Sequence, residues 1–120
     1  MFVMEDVGYI VGSGIINKEQ VDVYEKAKWK FAAKDSEVMV LHTLAIDPDK
    51  SGMGYGKRFV DFYEDYAREN GCKYLRMDTN EINKAARSLY KSLAFDEIDC
   101  LSCIFNGLEG VNLILFEKKL

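Results

Sequence analysis

Leu44-Ala45-Ile46-Asp47-Pro48-Asp49-Lys50-Ser51-Gly52-Met53-Gly54-Tyr55-Gly56-Lys57 sets three alternating glycines between an apolar run and a helical pattern. Upstream, Val38 to Ile46 is rich in Val, Leu and Ile and holds only two polar residues, which predicts a buried central strand ended by Asp47-Pro48-Asp49-Lys50. Downstream, Phe59, Phe62, Tyr63, Tyr66 and Ala67 recur at helical spacing, and Asn70-Gly71 closes that helix. Glycine lets a backbone approach a ligand closely. The first amides of a helix have no internal partner and point outward. Together these make Ser51 through Lys57 a loop for a phosphate or pyrophosphate, ringed by Lys50, Lys57 and Arg58. Two common phosphate signatures fail here. A dinucleotide fingerprint from Gly52 and Gly54 needs glycine at 57, where Lys57 stands; a P-loop needs glycine at 51 and Ser or Thr at 58, where Ser51 and Arg58 stand.

Outward from the loop, Phe2 to Met4 and Tyr9 to Ile16 read as a hairpin turning at Glu5-Asp6-Val7-Gly8. Asn17 to Ala33 mixes Lys, Glu and Asp with Val21, Val23, Tyr24 and Trp29, and reads as a loop or short helical turn. Lys73 to Asp78 is a strand. Asn83 to Leu93 is an amphipathic helix with Ala86, Leu89, Tyr90 and Leu93 on one face. Ile98 to Phe105 and Val111 to Glu117 are closing strands about Asn106-Gly107. Strands and helices alternate only in the middle, so the expected class is α+β or mixed α/β, not a pure doubly wound sheet.

Composition sets outer limits. With 120 residues, 48% hydrophobic and 30% charged, the chain is long and apolar enough for a real core, expected as one domain over 1–120. A net charge of −4 argues against a dedicated nucleic-acid binder. No run approaches the length of a membrane helix, and Met1 to Asp6 lacks the pattern of a signal peptide. Three cysteines, Cys72, Cys100 and Cys103, form no disulfide framework and fit a reducing cytoplasm. Cys100-x-x-Cys103 has no second ligand pair, so no metal is expected.

The stretch from Leu44 to Lys57 resembles the acetyl-CoA motif of the GNAT superfamily of N-acetyltransferases, Gln/Arg-x-x-Gly-x-Gly/Ala after an apolar strand. Gly54 and Gly56 take its glycine positions, and Ser51 departs from its Gln or Arg. Asn83-x-x-Ala86-x-x-Leu89-Tyr90-x-x-x-Ala94-Phe95 is similar to a second family segment and departs from it at Ala94, where glycine is usual. The resemblance runs from about Phe2 to the C-terminus. It implies a central, mostly antiparallel sheet flanked by helices, shortened by the family's first strand and two helices. That implies an acceptor side left open or completed by self-association as a homodimer.

The resemblance also implies an enzyme that transfers acetyl from acetyl-CoA to a primary amine of a small molecule or protein. Main-chain groups of Leu44, Ala45 and Ile46 would hold the pantetheine arm. The amides of Ser51, Gly52, Met53, Gly54, Tyr55, Gly56 and Lys57 would take the pyrophosphate, and Asn83 would bond the pantetheine region. The Leu44 N–H would polarise the thioester oxygen. Tyr90 would protonate the departing sulfur, the alternative being a phenol that only packs the core. His42 is the sole histidine and the candidate general base, as at the matching place in the arylalkylamine branch; otherwise it is a sheet histidine with satisfied nitrogens. Val40 stands where the histone-modifying branch carries glutamate, and Glu37 lies further up the strand. Asp78-Thr79-Asn80-Glu81 would line the acceptor pocket or cap a helix, and Tyr24 and Trp29 would shape that cleft or cover the core. The competing functions are a non-catalytic acyl-CoA-binding or regulatory module and a flavodoxin-like nucleotide domain.

Overall fold

A computed structural model describes residues 1–20, 22–50, 52–105 and 108–120, with the backbone alone at 22–23, 103–105 and 108–110. Among the described residues, six strands and two α-helices follow one another: β1 (Phe2–Asp6), β2 (Tyr9–Asn17), β3 (Val38–Ile46), α1 (Tyr55–Glu69), β4 (Tyr74–Asn80), α2 (Lys84–Ser92), β5 (Asp96–Phe105) and β6 (Leu108–Lys119). The sheet order is β1-β2-β3-β4-β6-β5. Only β3 and β4 pair in parallel; every other pairing is antiparallel. This is the expected α+β sheet with flanking helices.

Each element follows from its residues. The hairpin turns at Val7-Gly8, with φ of 51° and 80°, so β1 runs on through Asp6. A two-residue turn of positive φ suits the twist of the flanking strands. α1 buries Tyr55, Phe59, Val60, Tyr63 and Ala67 on one stripe. Gly71, at φ 74°, lets the chain leave the helix, and the Cys72 N–H donates back to the Ala67 carbonyl. α2 starts where the Asn83 Oδ1 accepts from the Ala86 N–H over 3.1 Å.

Period-two alternation divides the core between the two faces of the sheet. Met39, Leu41, Leu75, Met77 and Phe116 pack with α1 and α2. Val38, Val40 and Leu115 pack with Tyr24 on the opposite face, joined by Trp29 and Ala33. The segment joining β2 to β3 covers that second face, with a 3-10 turn at Asp22–Lys26. Its anchor is a buried ion pair, Arg76 Nε to Glu117 Oε2 at 2.9 Å. Glu117 Oε1 accepts from the Lys30 and Phe31 amides, and Arg76 also donates to Gln20 Oε1 and the Phe31 carbonyl. Its guanidinium lies 4.2 Å from the Trp29 ring centre. This buried charged pair thus gathers four of the bonds that tie the segment to the sheet, and it is costly to break from either side.

Candidate functional site

The site begins where two parallel strands part. β3 and β4 pair from Val38↔Tyr74 to Leu41↔Met77 and no further. Beyond that rung β4 continues against β6, through Asp78↔Leu115 to Asn80↔Leu113. β3 continues against β2 instead, to Gly12↔Ile46. The register shift between Ser13 and Ile15 sets two β3 residues, Thr43 and Leu44, opposite Gly14. Thr43 takes φ 52°, a rare conformation for a β-branched residue, and the bulge bends β3 away from β4. The main chain of 42–46 on that side therefore has no strand partner among the described residues. Gly14 permits the bend: a Cβ there would stand 2.7 Å from the Phe59 ring.

The glycine loop lies at the end of the same strand. Gly52 and Gly54 sit at φ 80° and 81°, where a side chain is strained. Gly54 caps α1, and its carbonyl accepts the first helical bond, from the Arg58 N–H at 3.1 Å. The amides of Gly56 and Lys57 precede that bond and have no carbonyl partner among the described residues. Gly56 also lets the two helices meet, since a Cβ there would lie 2.9 Å from Leu89 Cδ2. The loop is pinned from β1 by a hydrogen bond from the Tyr55 hydroxyl to Asp6 Oδ2. Lys57 pairs with Asp61 at 2.8 Å, and Arg58 stacks beside the Tyr55 ring. Met53 is exposed. Ser51 lies outside the described residues, as do Asn106 and Gly107.

Tyr90 comes from α2 on the helix side and is buried. No described residue hydrogen-bonds its hydroxyl, yet no buried side-chain oxygen or nitrogen lacks a partner among the described residues. Burial, with the Asp78 charge adding to it, pushes the Tyr90 phenol up to about 12. Asp78 stands one residue past the last shared rung, on the face of Arg76 and opposite that of Met77. Its Oδ2 accepts from the Tyr24 hydroxyl at 2.7 Å. Burial raises its carboxyl, while the Tyr24 hydrogen bond and the His42 charge work against the rise. Burial and Asp78 together raise the Tyr24 phenol further still.

His42 is half-buried at the start of the parting. Its Nε2 meets Asn17 Oδ1 at 2.8 Å. That oxygen also accepts from the Glu19 N–H, which fixes it as an acceptor. Nε2 therefore carries the proton, and Nδ1 remains as the ring's proton acceptor. Asn83 spends its Oδ1 on the α2 cap and keeps its amide N–H groups. Val40 is fully buried, and Glu37 accepts from the Lys34 N–H at the foot of β3. Cys100 is an exposed free thiol, and the Cys103 side chain lies outside the described residues. The described residues contain no cluster of three metal-ligating side chains.

The sequence profile of the acetyltransferase (GNAT) family matches residues 1–95. The chain belongs to this family. It is 35% identical over 60 residues to YhfO, an uncharacterized N-acetyltransferase of Bacillus subtilis, covering 50% of this chain and 40% of that one. It is 38% identical over 58 residues to the N-alpha-acetyltransferase RimI of Mycobacterium tuberculosis, covering 48% of this chain and 35% of RimI. The chain thus spans less than half the length of these GNAT relatives. In fold it is similar to a ribosomal-protein-alanine N-acetyltransferase from Brucella melitensis (TM-score 0.75, 20% identity, 98% of this chain and 67% of that one). It is equally similar to yncA from Salmonella typhimurium, solved with acetyl-CoA (TM-score 0.74, 18% identity, 98% and 62%).

The pairing of Tyr24 with Asp78 was not foreseen from the sequence. Its one signal is a tyrosine and a tryptophan inside the highly charged run from Lys18 to Lys30. Among the described residues, no helix is long and apolar enough to cross a membrane.

Proposed function

We propose that this GNAT protein transfers the acetyl group of acetyl-CoA directly to a primary amine of a small molecule or a protein. The observation that carries the reading is the parting of β3 from β4 past Leu41 and Met77, with the Tyr90 phenol on the helix side and a carboxylate and an imidazole on the other. The fit to the coenzyme rests on this chain's own groups. Unpartnered Gly56 and Lys57 amides suit a pyrophosphate, and the free edge of 44–46 suits the amide groups of a pantetheine arm. Met53, Gly52, Gly54, Tyr55 and Ser51 complete the loop in this assignment, and the Asn83 amide N–H groups face the same ligand.

Acetyl-CoA supplies the acetyl thioester when bound. Asp78 draws the acceptor ammonium to the opening. His42 takes the ammonium proton on Nδ1, which frees the nitrogen lone pair to form the C–N bond as the thioester C–S bond breaks. The Leu44 N–H, on the bulge, stabilises the charge that gathers on the carbonyl oxygen. Tyr90 gives its proton to the leaving sulfur, and burial keeps that phenol protonated until it is needed. As the amide forms, the nitrogen sheds its second proton, which restores the Tyr90 phenol, and the products are an N-acetyl amide and a free coenzyme thiol.

Calorimetry with purified protein tests the coenzyme, and thiol release on an amine panel tests the transfer. Micromolar acetyl-CoA binding together with amine-dependent thiol release supports the reading. Binding without release on any amine leaves a non-catalytic acyl-CoA module in its place, and absence of binding overturns both.

A further inference from the structure

A histidine base needs one bare ring nitrogen, and for His42 the neighbouring Asn17 decides which one. Asn17 pairs with Val40, two residues along β3 from His42 and on the same face of the sheet. Its Oδ1 meets the imidazole Nε2 at 2.8 Å and receives the Glu19 main-chain N–H at 2.9 Å. A main-chain N–H can only donate, so the side-chain amide cannot be turned over to set its NH2 at that point. An acceptor there leaves the ring one way to bond: Nε2 donates, and the lone pair of the neutral ring lies on Nδ1. The Glu19 bond also ties the Asn17 oxygen to the chain that leaves β2, so the ring is not what holds it.

The titratable groups on that face come from other elements. Asp78, on β4, is within reach of the His42 charge and has one carboxylate oxygen taken by the Tyr24 hydroxyl of the covering segment. Arg76 on β4 and Glu117 on β6 are bound to each other at 2.9 Å. Among the described residues, Asn17 is the one hydrogen-bond partner of either ring nitrogen.

We propose that Asn17 is a positioning residue: it holds His42 as the Nε2–H tautomer and so keeps Nδ1 as the nitrogen that takes the proton of the acceptor ammonium. This rests on the acetyltransferase reading above. The proton moves from the ammonium to Nδ1, and the freed lone pair forms the C–N bond as the thioester C–S bond breaks. Tyr90 protonates the sulfur and regains a proton from the amide nitrogen. Nε2 keeps its proton on Asn17 throughout, and the Asn17 oxygen bears on the positive charge of the doubly protonated ring. That ring then returns its Nδ1 proton to water.

The test reads the ring directly. His42 is the sole histidine, so protein made with 15N-labelled histidine gives one imidazole spectrum. In the parent, the neutral ring should carry its proton at Nε2 alone, and that proton should exchange slowly with water. Asn17→Leu removes the acceptor, so both tautomers should appear with fast exchange. Its kcat should fall about tenfold or more, the range for a partner that orients a histidine, with acetyl-CoA affinity by calorimetry unchanged. Asn17→Asp keeps both acceptances and adds a negative charge, which favours the protonated ring. A single tautomer should remain, while the ring titration and the acidic limb of kcat/KM move together to higher pH by about one unit. A parent ring protonated at Nδ1, an Asn17→Leu variant with the parent's kcat, or a limb that stays while the ring titration moves overturns this role for Asn17 and leaves acetyl transfer standing. A parent protein that binds no acetyl-CoA ends the acetyltransferase reading, and this role with it.

Discussion

The Tyr24 hydroxyl donates to Asp78 Oδ2 over 2.7 Å, across 54 residues of sequence, at the point where β3 and β4 separate. The bond fixes one carboxylate oxygen and leaves the other for a ligand. Asp78 also carries a cost in stability. Its carboxyl is raised above the ordinary 3.8, mainly by burial. Below that ordinary value the carboxyl is neutral whether the chain is folded or not. Above it the unfolded chain ionises freely while the folded one resists, so the contribution to stability falls as pH rises through the folded value. Asp78→Asn should therefore melt higher than the parent at neutral pH, with the gain shrinking as pH falls towards 3.8. The same variant should lose about tenfold or more in kcat/KM, mostly through the amine KM. A thermal-melt series over pH and steady-state kinetics check both halves. A variant that is less stable at neutral pH would contradict the burial argument.

Tyr90→Phe tests the general acid. The ring packs against Phe95 and Phe116 and keeps its place in the variant, because only an unpartnered hydroxyl is removed. Turnover should fall by about 10²-fold, within the usual range for a positioned acid, with acetyl-CoA affinity nearly unchanged. Stability gives a second readout. Below the ordinary phenol value of 10.0 the group is neutral in both states. Above it only the unfolded chain ionises, so the parent loses stability up to about 12. The phenylalanine variant should be the more alkali-resistant protein in equilibrium melts.

His42→Ala separates a base from a sheet histidine. Nε2 is held by Asn17, so truncation leaves the amide of Asn17 without that partner and opens a ring-sized space at the parting of the strands. The expected loss in kcat is about 10²-fold or more. Added imidazole should restore part of it, and the same imidazole should not change the parent. Loss without rescue, accompanied by a lower melting temperature, would reduce His42 to packing.

Much of this was legible because it is local. Phe59, Phe62, Tyr63, Tyr66 and Ala67 repeat with the helical period; the structure buries Phe59, Tyr63 and Ala67 but leaves Phe62 41% exposed at the edge of the stripe, beside Phe2. Asn83 sits three residues before Ala86 and caps it, and the run Val38 to Ile46 is the central strand from end to end. The turn at Val7-Gly8 was placed within a wider span, because a two-residue turn and a four-residue one share the same residues until strand register is known. The parting at Leu41 and Met77 leaves no trace in either strand's own alternation. It arises from competition: β2 claims one strand and β6 the other, and the extra residue at Thr43 and Leu44 settles the geometry. The contacts of Tyr24 and Arg76 with partners 41 to 56 residues away belong to the same class. Residue type marked Tyr24 as out of place among charges without saying which carboxylate it meets.

Gly54→Ala and Gly56→Ala differ in a way that tests the loop. Gly54 holds φ 81° with open space around its Cα, so an added methyl meets no atom but strains the backbone by roughly 1 kcal/mol. Gly56 is helical, and its added methyl meets only the flexible end of Leu89 at 2.9 Å. If the amides after Gly54 hold the pyrophosphate, Gly54→Ala should weaken acetyl-CoA binding by about tenfold, while dephospho and desulfo analogues that keep the pyrophosphate should weaken in parallel. Gly56→Ala should lose less. Calorimetry on the two variants decides the order, and equal losses would remove the loop conformation from the account.

Ala94→Gly should stabilise the protein, and the reason lies in a family departure. Ala94 follows the Leu93 cap of α2 and takes φ 69°, the left-handed conformation in which a Cβ crowds the following carbonyl. Its N–H still bonds the Lys91 carbonyl, and Phe95, next in the chain, donates back to Tyr90 and is buried. The strained residue therefore sits inside the turn that fixes the C-terminal end of the helix carrying Tyr90. Glycine removes the steric penalty and adds freedom to the unfolded chain, two effects of opposite sign whose balance at a left-handed site favours glycine by about 0.5–1 kcal/mol. Urea melts should show a higher midpoint with an unchanged slope. Because Tyr90 is held from both sides by this turn and by Phe116, its position should be the same in both proteins, and kcat with it. A variant that gains stability but loses turnover would show that the strain at Ala94 helps to aim the phenol.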